Sequence, residues 1–299
     1  MTFYEIEFPL ASLSVERVEG VLLDIGASSV TFLDGGDEPV LEPKPGEFRL
    51  WSDTRVCALF QESDADAVSS EVALRLERLA GALGPHITQT AHIRAVADQD
   101  WERVWLTDWK SLRFGLRLWV CPTVAEPPDQ PDAVVVRLDP GLAFGTGTHP
   151  TTALCLQILE SLPLAGRSII DYGCGSGILG IAALKLGAAH VCAIDIDPQA
   201  LIVTRDNAFR NGVGENIEVS LPGEPVTPAF CVVANILAGP LIELAPQLTA
   251  ACEVGGYLLL SGLLKTQAYA VKAAYASAFD MVHIVERDDW CCIYARRVP

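Results

Sequence analysis

One segment constrains the fold of this chain more than any other, and it lies between residues 168 and 187. It reads SIIDYGCGSGILGIAALKLG: a short apolar run, a turn in which Gly173, Gly175 and Gly177 alternate, and an apolar run of helical length. A strand, a glycine turn and a helix in this order are typical of an open α/β sheet, whose ligands bind at the carboxyl ends of the strands. The segment therefore predicts a ligand-binding turn within such a sheet.

Two classes of ligand suit this turn. Gly175, Gly177 and Gly180 spell the GxGxxG pattern of dinucleotide-binding proteins, and Asp195 lies about twenty residues further on, where a ribose-binding acid is expected. Asp171, however, comes directly before the turn, and a carboxylate there would repel a pyrophosphate and attract the ammonium and sulfonium groups of S-adenosylmethionine. We therefore predict S-adenosylmethionine as the cofactor, with NAD as the alternative, and include Asp171, Gly173, Gly175 and Gly177 among its contacts.

Two further strands end in polar residues that are candidates for the same site. Asp195 ends VCAIDID, and its carboxylate is suited to accept hydrogen bonds from both ribose hydroxyls, whereas Asp197 precedes Pro198 and is expected to cap a helix. Asn235 ends CVVAN. Its amide is a candidate to accept a hydrogen bond from an attacking amine, to hold the cofactor, or only to cap a turn.

A glycine-containing loop, LDPGLAFGTGTHPTT, precedes these strands at residues 138–152. Glycine lets the backbone approach a ligand closely, and the following helix presents its N-terminus to the same place. We assign Phe144, Gly145 and Thr152 to cofactor binding. His149 is a candidate catalytic base, with capping of the helix as its alternative role.

The second half of the chain alternates strands with helices from about residue 133. This order predicts a parallel, doubly wound sheet, and the last twenty residues predict an antiparallel hairpin at its edge. The expected strands lie at residues 168–172, 190–195, 216–220, 230–235 and 254–261.

The first 95 residues show a different order, βαββαβ, which is typical of a small α+β ferredoxin-like domain. Strands are expected at residues 3–8, 29–33, 55–61 and 87–94, and helices at 12–25 and 68–83. Between the two domains, residues 96–132 contain four of the six tryptophans and end in a proline-rich stretch, so we predict a linker with a helix. The domains are thus 1–95, 96–132 and 133–299.

Charge and composition exclude several classes of function. The chain carries 38 acids and 21 bases, a net charge of -17, which disfavours direct binding of nucleic acid and favours a basic partner. Nine scattered cysteines include no CxxC pair, so we expect reduced thiols and no metal site. No apolar run is long enough for a membrane span and the N-terminus does not resemble a secretory signal. We expect a cytoplasmic monomer.

Several motifs together resemble the PrmA family, bacterial methyltransferases of large-subunit ribosomal protein L11, over essentially the whole chain. They are PGEFRLW, FGTGTHPTT, DYGCGSGILGIAALKLGA, AIDIDPQA, ANILAGPL, LSGLL and DDWCCIYARR. The resemblance implies a substrate-recognition domain, a linker and a class I (Rossmann-like) methyltransferase domain. It also implies cofactor contacts at Thr152, Gly173, Asp195 and Asn235, and trimethylation of the N-terminal amine and lysine side chains of that basic ribosomal protein.

Three other interpretations stay open at this point. An NAD-dependent dehydrogenase would need a turn that tolerates phosphate beside Asp171, which is unfavourable. A binding or assembly factor without turnover would not need the glycine turn, Asp195 and Asn235 together. A methyltransferase of the same class acting on another protein or a small amine differs only in its substrate.

Overall fold

The structure, a computed structural model, describes residues 2–36, 50–62, 68–96, 110–139 and 149–299. The chain divides into two units, residues 1–101 and 102–299. Each unit has its own buried apolar cluster, and each is described separately below. The division into a first domain (1–95), a linker (96–132) and a catalytic domain (133–299) stays a prediction.

The first unit is a small antiparallel sheet with helices between its strands. The four strands lie in the order β2-β3-β1-β4, and every neighbouring pair is antiparallel. Its described elements are β1 (Thr2–Pro9), α1 (Val15–Asp24), β2 (Ser29–Asp34), β3 (Thr54–Glu62), α2 (Val68–Leu83), α3 (Ile87–Thr90) and β4 (His92–Val96).

Alternation along the central strands produces the core of this unit. Tyr4, Ile6 and Phe8 of β1 are buried, and their cross-strand neighbours on β3 are buried as well. The helical stripes predicted at residues 12–25 and 68–83 pack against this face, since Val18, Leu22, Leu79 and Leu83 belong to the same cluster. The predicted helices thus pack on one face of the sheet and bury it.

The strand expected at residues 87–94 is wrong in its first half. Residues Ile87–Thr90 form one helical turn, in which the Ala91 amide donates to the Ile87 carbonyl at 2.8 Å, and β4 begins only at His92. Ile87 is fully buried in the core of the unit. A short apolar run does not by itself distinguish a strand from a helical turn whose apolar side chain is buried.

The second unit is built on a seven-stranded mixed sheet. The strand order is β10-β9-β8-β11-β12-β14-β13; the first five are mutually parallel, and β14 is antiparallel to both neighbours. The strands are β8 (Ser168–Tyr172), β9 (His190–Ile194), β10 (Ile217–Ser220), β11 (Ala229–Asn235), β12 (Cys252–Leu264), β13 (Phe279–Arg287) and β14 (Trp290–Arg297). The predicted parallel sheet and terminal hairpin are both present.

Helices cover both faces of this sheet. One apolar cluster contains residues of α4 (Pro150–Ser161), α5 (Ile178–Lys185) and α6 (Pro198–Arg210). The other contains residues of α7 (Ala238–Glu243), α8 (Ala245–Ala251) and α9 (Ala268–Tyr275). This three-layer α/β arrangement is a Rossmann-like fold, in which the parallel strands are buried on both sides.

Part of the segment predicted as a linker forms a second sheet of the second unit. Its strands are β5 (Leu112–Phe114), β6 (Leu118–Cys121) and β7 (Val134–Arg137); β5 and β6 are antiparallel, and β6 and β7 are parallel. Phe114, Leu118 and Val136 belong to the same apolar cluster as α4 and α5. These apolar positions are too few for a periodic pattern, so composition alone suggested a linker.

Within the described ranges, no helix has the length and apolar character that crossing a membrane requires. All nine cysteines are free thiols, and seven of them are buried.

The side chain of Asn211, which follows the last residue of α6, joins the small sheet to that helix. Its Oδ1 accepts from the Arg137 amide at 2.7 Å, and its Nδ2 donates to the Arg137 carbonyl at 2.8 Å. Asn211 is buried, so both groups of β7 would be left without a partner if the side chain were removed.

We therefore expect Asn211→Ala to lower the free energy of unfolding by about 2 kcal/mol, because two partly buried backbone groups lose their partners. Urea titration followed by circular dichroism measures this change. Asn216→Ala is the matched control, because Asn216 is exposed and donates one hydrogen bond, at 3.2 Å to the Ala189 carbonyl. Equal losses in the two variants would contradict the role of Asn211.

Candidate functional site

A cavity of about 470 Å³ opens at the carboxyl ends of β8, β9 and β11. This is the edge at which open α/β sheets bind ligands, and the volume lies within the range of small-molecule sites. Five of the residues predicted from sequence line it together, namely Thr152, Gly173, Gly175, Asp195 and Asn235. Residues from distant parts of the chain thus meet at one site.

The glycine turn is tied to the neighbouring strand. The amides of Gly173 and Cys174 both donate to the carbonyl of Ile194, the last residue of β9, at 2.7 and 3.0 Å. Gly173 has a φ of +77°, and a Cβ there would lie 2.3 Å from Cγ2 of Ile236. Only glycine therefore permits the turn to approach the segment after β11 so closely.

Asp195 is held directly beside this turn. Its Oδ2 accepts from the Gly175 amide at 2.9 Å, and its Oδ1 accepts from the Asp197 amide at 3.0 Å. Asp197 in turn caps α6 by accepting from the Gln199 amide, as predicted. Each carboxylate oxygen of Asp195 has a second lone pair, and the residue lines the cavity, so it can accept further hydrogen bonds from a ligand.

Asn235, at the end of β11, presents an unpaired oxygen. Its Nδ2 donates to Oγ1 of Thr152 at 3.2 Å, and Thr152 is fully buried in the first turn of α4. Its Oδ1 is buried and has no hydrogen-bond partner among the described residues. A buried acceptor without a partner is costly, so a donor from a bound ligand would stabilise this site.

Asp171 does not line the cavity, although the sequence predicted that it faces the cofactor. It is completely buried below the turn, where its Oδ2 accepts from the Gly180 amide in the first turn of α5 at 2.8 Å. Burial raises the pKa of this carboxyl to about 7, opposed by the Gly180 hydrogen bond and assisted by the nearby charge of Asp195. In the described residues its Oδ1 has no partner. Asp171 thus anchors the helix to the strand.

Gly177 and His149 also lie outside the cavity lining. Gly177 begins α5 with a φ of +77°, and a Cβ there would lie 2.8 Å from the Thr204 side chain, so its role is close packing. His149 caps α4 by accepting from the Thr151 amide, and its ring contacts Trp290 edge-on. This is the capping role that the sequence offered as the alternative to a base. Phe144 and Gly145 lie outside the described residues.

The apolar walls of the cavity were not among the residues predicted from sequence. They are formed by Tyr172, Cys174, Ile178, Leu179, Ile196, Pro222, Ile236, Leu237, Pro240 and Leu244. Most of these residues follow a strand end or the glycine turn by one to a few positions, so the rule that ligands bind at strand ends was the available signal.

The described lining contains no residue suited to act as a strong base at neutral pH. Burial raises the pKa of both the Tyr172 hydroxyl and the Cys174 thiol above their usual values. The site can therefore bind a polar group at Asp195, offer an acceptor at Asn235 and surround both with apolar surface. Such an arrangement favours catalysis by positioning.

Comparison with known proteins adds independent information. Residues 2–298 match the model of a family described as "Ribosomal protein L11 methyltransferase (PrmA)". The chain is 51% identical to the ribosomal protein L11 methyltransferase of Serratia proteamaculans, over 99% of this chain and 100% of the relative. It is 50% identical to the protein of the same name from Escherichia coli strain SMS-3-5, with the same coverage.

A solved structure agrees with these matches. The crystal structure of a ribosomal protein L11 methylase from Lactobacillus delbrueckii subsp. bulgaricus superposes with a TM-score of 0.59 and 32% identity, covering 64% of this chain and 100% of that one. The family match spans nearly all of the sequence, and the relatives are similar over their full length. The chain therefore belongs to the PrmA family of ribosomal protein L11 methyltransferases, which depend on S-adenosylmethionine.

Proposed function

We propose that this chain transfers methyl groups from S-adenosylmethionine to the N-terminal amine and lysine side chains of ribosomal protein L11. The relatives are named as methyltransferases of ribosomal protein L11. Membership of their family sets aside the alternative of an NAD-dependent dehydrogenase. The observation that carries the proposal is the buried, unpaired Oδ1 of Asn235, which is an acceptor suited to an incoming amine. The proposal includes a cytoplasmic, monomeric enzyme.

The residues of the cavity fit the cofactor. Asp195 has free lone pairs for ribose hydroxyls, and the turn around Gly173 and Gly175 brings backbone close to a ligand without a Cβ in the way. The apolar walls suit an adenine ring and the aliphatic part of the methionine chain. When bound, S-adenosylmethionine supplies a methyl group on a positively charged sulfur.

The chain's own residues then act on the amine by binding and positioning. A lysine must lose a proton before it can attack, which costs about 4–5 kcal/mol at neutral pH, whereas an α-amine costs about 1 kcal/mol. Apolar surroundings disfavour the ammonium form and so reduce this cost. Asn235, oriented by Thr152, accepts a hydrogen bond from the neutral amine and aligns its lone pair. Alignment of this kind contributes up to about 7–11 kcal/mol in well-oriented reactions.

We further propose that the first unit is a ferredoxin-like domain that recognises the substrate protein. Its strand order and its two long helices, α1 and α2, agree with that fold. Residues 1–95 carry 16 acids and 7 bases, a net charge of -9, which complements a basic ribosomal protein. Recognition and chemistry would then reside in different units of one chain.

The first test of the proposal concerns Asp195. We expect Asp195→Ala to raise the Kd for S-adenosylmethionine about tenfold or more while the protein stays folded, because hydrogen bonds to a charged acceptor are lost. Calorimetric titration measures the affinity, and thermal unfolding checks the fold. Asp206→Ala, at an exposed position on α6, is the control and should bind as the wild type does. Unchanged affinity in Asp195→Ala would overturn the assignment.

The second test separates two roles of Asn235. As an acceptor for the amine it matters most in the transition state, so Asn235→Ala should lower kcat about tenfold with a smaller change in cofactor affinity. Thr152→Val should lower kcat less, because it removes only the group that orients the amide.

Other results would assign Asn235 differently. If affinity falls first and saturating S-adenosylmethionine restores the rate, Asn235 is mainly a cofactor ligand. If both quantities keep their wild-type values, it is only a turn cap.

The third test concerns recognition by the first unit. A chain lacking residues 1–95 should lose activity on ribosomal protein L11 and keep its affinity for S-adenosylmethionine, since the described cofactor contacts all lie in the second unit. Methyl incorporation and calorimetry on the same sample measure both quantities. Full activity of the shortened chain on the intact substrate would refute the recognition role.

A further inference from the structure

The rim of the cavity is apolar, although the chain as a whole is acidic. Among the described lining residues, those that are exposed to solvent are Ile196, Pro222, Leu237 and Pro240, and none of them carries a charge or a hydrogen-bonding side chain. A basic substrate thus meets apolar surface at the entrance. Such surface favours an uncharged nitrogen and the methyl groups attached to it.

Two consecutive lining residues after Asn235 have different roles. Ile236 packs between two glycines: a Cβ on Gly173 would meet its side chain, and a Cβ on Gly262 would lie 2.4 Å from its carbonyl oxygen. Ile236 is therefore locked in place. Leu237 lines the cavity too, but it is 54% exposed and lies outside the apolar cluster that includes Ile236.

The backbone of Leu237 is nevertheless well defined. Its carbonyl accepts from the Leu241 amide at 3.1 Å, where it begins α7, and the next residue, Ala238, is buried. A fixed backbone thus carries an apolar side chain at the mouth of the cavity, two residues from the unpaired Oδ1 of Asn235. Ile196, which is 82% exposed, follows Asp195 after β9, whereas Leu237 follows Asn235 after β11, so the two side chains lie on different sides of the site.

Successive transfers to one nitrogen change what that nitrogen can bind. In each transfer its lone pair forms the new N–CH₃ bond while the methyl–sulfur bond breaks and leaves its electron pair on sulfur. After the first and second transfers the nitrogen gives a proton to water. The neutral nucleophile therefore has two N–H groups, then one, then none, and the third product is a quaternary ammonium.

Asn235 can accept a hydrogen bond from the first two nucleophiles, but not from the third. A neutral dimethylated nitrogen offers only methyl groups, so apolar contact has to hold it in line. We propose that Leu237 determines how many methyl groups the target nitrogen receives, by forming the apolar wall against which the dimethylated nitrogen is held for the third transfer. This inference rests on the proposed function and on Asn235 as the acceptor of the amine.

The test compares two substrates that report different transfers. Unmodified ribosomal protein L11 reports the first transfer, and the same protein after reductive dimethylation of its amines reports only the third. Leu237→Asn keeps the size of the side chain and makes it polar. We expect this variant to lower kcat/KM on the dimethylated substrate about tenfold, because a methyl group of the substrate would then displace water from the side-chain amide at position 237 without replacing its hydrogen bonds. On the unmodified substrate we expect kcat/KM to fall about threefold or less.

Control variants make the result specific. Leu237→Met replaces one apolar side chain with another and should keep the wild-type ratio of kcat/KM on the two substrates. Ile242→Asn makes the same kind of change on α7 outside the cavity and should leave the ratio unaltered. Asn235→Ala should show the reverse pattern, with the larger loss on the unmodified substrate.

The possible failures are distinguishable. If the wild type places no methyl group on unmodified L11, the proposed function itself is wrong. If the wild type is active and Leu237→Asn slows both substrates equally, or neither, the inference about Leu237 is overturned while the proposed function stands.

Discussion

The junction between the glycine turn and the end of β9 is the constraint on which the functional site depends. Two successive amides of the turn donate to one carbonyl, that of Ile194, and this fixes the turn at the carboxyl edge of the sheet. The residue that follows β9 is Asp195, and its carboxylate closes the junction by accepting from the Gly175 amide. A shift of the turn would therefore displace this cavity-lining carboxylate as well.

A second constraint comes from the opposite side of the turn, where Ile236 packs closely against the backbone of Gly173 and Gly262. The absence of a Cβ on Gly173 leaves room for Ile236, and the absence of one on Gly262 leaves room for the Ile236 backbone. This packing places Asn235 and Leu237, on either side of Ile236, at the cavity. Close packing, together with the hydrogen bond from Asn235 to Thr152, thus positions the acceptor end of the site.

The electrostatics of the site follow from burial. Asp171 lies in a dry environment beneath the turn, with the Asp195 carboxylate nearby, and its pKa is raised to about 7 mainly because burial disfavours the charged form. The Asp195 carboxylate, in contrast, is only partly buried and is stabilised by two backbone amides. Two carboxyl groups near one turn therefore have different surroundings: one anchors a helix and the other lines the cavity.

The amino-acid sequence alone determined the type of fold and the polar and glycine positions that line the cavity, but not its apolar walls. The glycine turn, the acid at the end of β9 and the asparagine at the end of β11 are local features whose spacing follows from the geometry of a parallel sheet. Because the carboxyl ends of parallel strands meet at one edge, Asp195 and Asn235 are assigned to one site from the strand pattern, whereas Thr152 was assigned from the glycine-containing loop and the helix that follows it. The two helical stripes of the first unit were likewise evident from their periodicity.

Only the tertiary structure decided the roles that depend on neighbours distant in the chain. Asp171 and Asp195 look alike as strand-end acids, and only the packing of α5 shows that the first is buried against Gly180 while the second lines the cavity. The same holds for residues 112–121, whose few apolar positions form strands because β7 and α4 lie beside them. The physical reason is that burial and hydrogen-bond partners are properties of the whole packed unit, and local patterns do not contain them.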